Sequence, residues 1–210
     1  MTSDALLPAI GLAGSLVMFA GDMLLYFTPG AYDMDGTLRP YAKIMRDLPE
    51  RRVRLGGLLG PFAAFLYVVG FAGLPMLGTG ELPWLMCAVA VLLAFALVCG
   101  GAYHAQYPYL AIAARTGDDS LVDRVGQNIM ALQRMAAVPM YAAFVLLGIA
   151  VITGQTVLPQ WMVVCTPLVT SFLGFAWLRA PQPARCVLFG GWSNLVFTIM
   201  FAVLLAFALV

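Results

Sequence analysis

The chain has 210 residues, 62% of them hydrophobic and only 10% charged, where a soluble domain is closer to a half and a quarter. Its net charge of +1 comes from charges that are segregated rather than blended. That excludes a basic nucleic-acid-binding face, and neither a zinc-ligand spacing nor an RNA-binding motif is present.

Six runs approach the ~20 mostly apolar residues that cross a bilayer. The first covers residues 6–27. A cleavable signal needs a positive leading region, and the first positive residue is Arg39, so the run reads as a mature helix. Within FAGDMLLYF it carries Asp22, with Tyr26 one turn later on the same face. Loop one, residues 28–55, holds Arg39, Lys43, Arg46, Arg51, Arg52 and Arg54. Its apolar residues Tyr41, Ile44, Met45 and Leu48 recur at helical spacing and predict a short interfacial helix.

Span two covers residues 57–77, and the next loop, GTGEL, carries only Glu81. Span three covers residues 82–106, includes Tyr103 and the sole histidine, His104, and its apolar run continues through YPYLAIAA. Gly100–Gly101 and Pro108 are the places expected to bend or end it. Loop three, residues 115–128, is charged, with Asp118 or Asp119 to cap a helix that runs into span four. That span covers residues 130–154, with Asn128 just before it and Arg134 just inside. Pro139 is expected to kink it. The neutral loop TGQTV leads to span five, residues 158–178, where Pro167 should introduce a kink. The basic loop RAPQPAR leads to span six, residues 187–210, with Trp192 and Asn194 in GGWSNLVF. All Lys and Arg gather at loops one, three and five, which the positive-inside rule places in the cytoplasm. The expectation is an all-α polytopic bundle of six transmembrane helices in one domain, residues 1–210. It is a multi-pass protein of the cell membrane with both termini on the outer side.

Ionisable groups inside spans face the bundle interior or a cavity by default. Counted along their helices, Asp22, His104 and Arg134 fall in the cytoplasmic half, with Asn194 nearer the midplane. The expected site is therefore one cytoplasm-facing polar pocket. Asp22 and His104 form its catalytic acid–base pair. Tyr26, Tyr103, Asn128, Arg134, Trp192 and Asn194 bind the substrate, and Arg134 is placed to pair with Asp22. Isomerisation or cyclisation of a small lipid-soluble molecule suits such a pocket. The alternative is a transporter or a lipid-binding membrane protein without covalent chemistry. Expected partners are membrane lipids and a hydrophobic ligand, with no nucleic acid, no cofactor and no metal. One histidine falls short of the usual three-ligand catalytic zinc set. Cys87, Cys99, Cys165 and Cys186 form no CxxC pair and read as small apolar residues.

Four segments in order, GSLVMFAGDMLLYF, RVRLGGLLGPFAAFLYVVGF, GGAYHA and LFGGWSNLVF, resemble an uncharacterised bacterial family of six-helix integral membrane proteins known only as a domain of unknown function. The resemblance implies that Asp22, His104, Trp192 and Asn194 belong to the family's pattern. It supplies no activity.

Overall fold

The computed structural model describes residues 3–28, 37–79 and 81–210. The stretch 29–36 of loop one and Gly80 of loop two lie outside the described residues. Among the described residues the architecture is helical, with one isolated β-bridge and no strand. Helix α1 spans Ser3–Tyr26, α2 Arg39–Asp47, α3 Glu50–Phe71, α4 Pro83–Thr116 and α5 Asp119–Ile152. Helices α1, α3, α4 and α5 have the length and apolar composition to cross a membrane. They pack in the order α1–α3–α4–α5.

Helix α2 is the short helix the spacing predicts. It buries Ala42 and Met45, and Tyr41, Ile44 and Leu48 pack beside them against α4. Span three is longer than expected. Helix α4 runs for 34 residues through Gly100, Gly101 and Pro108 without ending. Gly101 serves close packing: a Cβ there would lie 2.8 Å from the Cβ of Ala64 on α3. Loop three is also a correction, because most of it is helix. Gly117 alone takes the left-handed conformation (φ 75°) that ends α4. Asp118 then caps α5 by accepting from the Ser120 and Leu121 amides. The Ser120 hydroxyl, followed by the Leu121 amide, holds the Asp118 carboxyl below its usual range.

Spans five and six are not continuous helices. Pro159 and Pro167 have no amide hydrogen to donate, and Thr166 is extended (φ −72°, ψ 153°). The chain therefore advances as a 3₁₀ turn over Gln160–Cys165, helix α6 (Pro167–Thr170), a second 3₁₀ turn over Ser171–Leu173 and helix α7 (Gly174–Trp177). The last run divides into α8 (Ala184–Leu188) and α9 (Trp192–Ala208), broken at Gly190–Gly191. Helix α9 packs on α1. At 17 residues it is about 26 Å long, shorter than the four long helices. The pieces between α5 and α9 lean on both.

Two basic residues act as fasteners, a role hidden in the charge pattern. Helix α1 has no basic residue in its last turn. Arg52 of α3 supplies one, donating to the carbonyls of Met23, Leu24 and Phe27 at 3.0, 2.9 and 2.8 Å, where a cation meets the negative end of the helix dipole. Arg115 of α4 donates to the carbonyls of Arg46 and Leu48 at the end of α2. At the opposite end, the loops after α3 and α5 are joined by backbone bonds. Thr79 donates to Gln155 and Val157 to Leu77, both at 2.9 Å, around the Gly78–Thr156 bridge.

Candidate functional site

The buried apolar residues form two clusters, and a polar layer separates them. On α1, Met18 belongs to one cluster and Leu25 to the other, with Asp22 between. On α4, His104 falls between Leu97 and Tyr107, and near the chain's end Asn194 falls between Cys186 and Phe197. Each helix therefore contributes its polar residue at one level. Asp22, His104 and Asn194 are 4%, 5% and 6% exposed. A polar side chain in that setting needs a partner, and they satisfy one another. Asn194 Nδ2 donates to Asp22 Oδ2 at 2.6 Å, and His104 Nε2 lies 3.1 Å from Asp22 Oδ1. The Tyr67 hydroxyl of α3 donates to Asn194 Oδ1 at 3.0 Å. Tyr67–Asn194–Asp22–His104 is thus one hydrogen-bonded chain joining α3, α9, α1 and α4. A second rung at the α1–α9 contact pairs the Thr198 and Ser15 hydroxyls at 3.0 Å. His104 Nδ1 is buried and has no hydrogen-bond partner.

Glycines make this meeting of short side chains possible. A Cβ on Gly60 of α3 would lie 2.1 Å from the Cβ of His104, so only a hydrogen at that position lets α4 approach closely enough. Where α1 crosses α3, a Cβ on Gly56 would lie 3.0 Å from the carbonyl oxygen of Gly21, the residue before Asp22.

The remaining expected residues lie elsewhere or act differently. Tyr26 anchors the break between α8 and α9, its hydroxyl donating to the Gly190 carbonyl at 2.6 Å. The Tyr103 hydroxyl is bonded to that of Tyr107, and both rings lie edge-on to His104. Tyr107 meets Tyr41, and Tyr41 meets Tyr26, so a tyrosine column runs from α2 down to His104. Trp192 donates to the Thr170 carbonyl at 3.1 Å and packs edge-on to Trp177. Asn128 is exposed and donates to Gln106. Arg134 is exposed and borders a separate cleft with Thr37, Arg39 and Gln127. The expected Asp22–Arg134 bridge is therefore replaced by Asp22–His104, because equal depth along two helices does not give them a common facing. Tyr67 was missed. Its signal was a tyrosine deep in an apolar span, whose hydroxyl needs a partner.

Four cavities open elsewhere in the bundle, and neither Asp22 nor His104 lines any of them. One of them, a crevice of about 450 Å³, lies just beside the polar layer, between α5, α7 and the first turn of α9. Tyr141, Phe144, Phe175 and Trp192 form its apolar walls, and Gln133, Ser171 and Ser193 add polar groups. Among the described residues no cluster of His, Cys, Asp or Glu is arranged to hold a metal.

A family described as "Family of unknown function (DUF6796)" matches residues 1–209 of the chain. The chain belongs to DUF6796. The match covers nearly all of the chain, as the four resembling segments led one to expect, and DUF6796 brings no activity to assign to Asp22 or His104. No curated protein and no solved structure matches.

Proposed function

We propose that this protein is an integral membrane protein that binds a lipid-soluble small molecule in the crevice between α5 and α9, without covalent chemistry. One observation carries the reading: the first turn of α9 serves two sites. Trp192, Ser193 and Val196 line the crevice, while Asn194 of the same turn holds the carboxylate of Asp22. The crevice volume falls within the ~300–1,000 Å³ of small-molecule pockets, and apolar walls with a few polar groups are their usual lining. A ligand seated there bears on the turn that tethers Asp22. In this reading the protein spans the cell membrane with its basic loops in the cytoplasm and both termini outside.

The test uses dibromostearate as an apolar quencher, added to detergent-purified protein in which Trp84, Trp161 and Trp177 are replaced by Phe. Saturable quenching of Trp192 is expected, and it should be lost in Ser193→Phe, which fills the crevice. Quenching that rises without saturation, or survives Ser193→Phe, refutes the reading.

A second reading keeps acid–base chemistry at Asp22 and His104. The buried, unpartnered Nδ1 of His104 favours it, since a ring nitrogen left open can exchange a proton with a substrate. The two readings part on Asp22→Asn. Ligand binding in the crevice survives that change, whereas chemistry at Asp22 is abolished by it.

A further inference from the structure

Arg134 is used by neither the polar layer nor the crevice. It is exposed on α5 and makes no hydrogen bond or ion pair with any described residue. Its neighbours one turn away, Met130, Ala131, Ala137 and Val138, carry no acid. The carboxylate bordering the same cleft, Asp123, has both oxygens occupied by Arg39 at 3.0 and 2.7 Å. Among the described residues, the cleft of about 400 Å³ between α2 and α5 therefore carries one positive charge at one end that no carboxylate pairs with. At its other end are the Gln127 amide and the neutralised Arg39–Asp123 pair, with Met130 as an apolar wall between.

Depth decides what meets that charge. Counting ~20 residues of hydrocarbon back from Ile152, where α5 ends, reaches Gln133. Arg134 thus sits at the boundary where lipid phosphates begin. Its guanidinium matches phosphate oxygens in a two-pronged geometry, while Val138, one turn further into the hydrocarbon, is widely exposed and offers apolar surface to an acyl chain. We infer that this cleft is a binding site for one anionic phospholipid. The phosphodiester lies on Arg134, the headgroup reaches towards Gln127, and the acyl chains descend along α5.

The test is native mass spectrometry of the delipidated full chain, titrated with phosphatidylglycerol or phosphatidylcholine. One saturable phosphatidylglycerol adduct is expected, in preference to phosphatidylcholine. Arg134→Gln should weaken it about fivefold, the effect of one basic residue at an anionic surface. Arg124→Gln, an exposed cation of the same helix outside the cleft, should leave it unchanged, and inorganic phosphate should not displace it. Equal binding of the two lipids overturns the inference. So does an unchanged Arg134→Gln, or an equal loss in Arg124→Gln, which would mean diffuse attraction. Displacement by inorganic phosphate would make the site one for a free anion and overturns it as well.

Discussion

Asp22 is the residue whose substitution separates a hydrogen-bonded layer from a charge pair. Its carboxylate accepts from Asn194 on one oxygen and faces His104 on the other. Asp22→Asn keeps one acceptor and turns the other position into a donor. His104 can answer by moving its proton to the unpartnered Nδ1, so that Nε2 accepts from the new amide. No bond is lost outright, and the cost should stay near ~0.6 kcal/mol and below ~1.7, the range for side-chain hydrogen bonds between membrane helices. Asp22→Leu has similar size and no acceptor. It leaves the Asn194 amide and the His104 ring without their partner, at ~1–3 kcal/mol for each buried group, or ~2–6 in all. Unfolding of the detergent-solubilised variants in graded dodecyl sulfate measures both. A cost for Asp22→Leu below ~1 kcal/mol would refute the hydrogen-bonded layer. If Asp22→Asn cost ~3–5 kcal/mol, a cation would have been left unpaired in the interior, and the His104–Asn194 account of Asp22 would be wrong.

Gly60→Ala places a methyl group 2.1 Å from the Cβ and 2.9 Å from the Cγ of His104. Atoms at the root of a side chain move only with their helix, so a loss of ~1–3 kcal/mol is expected, read as a lowered melting temperature; a neutral outcome would contradict the α3–α4 spacing. A reporter fused after Val210 should appear on the outer side and tags within residues 116–122 in the cytoplasm, and a cytoplasmic C-terminus would sink the six-crossing orientation.

The residues that meet were legible for a reason that those that do not meet make plain. Asp22, His104 and Asn194 lie in stretches too apolar to solvate them, so each had to find a polar partner. Arg134 passed the same test of height, but its side chain is exposed on α5 rather than enclosed by the bundle. Nothing in the chain forces it inward. The helix ends were readable where a side chain does the capping, as at Asp118. They were not readable where the cap comes from a distant helix, as with Arg52 on the last carbonyls of α1. Hydropathy registers apolar content and ignores missing amide hydrogens, which is why residues 158–178 and 187–210 read as spans while the backbone breaks at Thr166 and at Gly190–Gly191.

The backbone bonds between the loops after α3 and α5 have a mechanical consequence. They tie that end of the bundle together as a pivot, with Leu82 adding a third strut through its bond to the Gln155 side chain. Helices α4 and α5 extend about 50 Å from that end, so a rocking of roughly 5° about the pivot would carry their charged tips about 4 Å. Any gating stroke in this protein would be smallest at the latch and largest beneath α2, where the tyrosine column meets the loops.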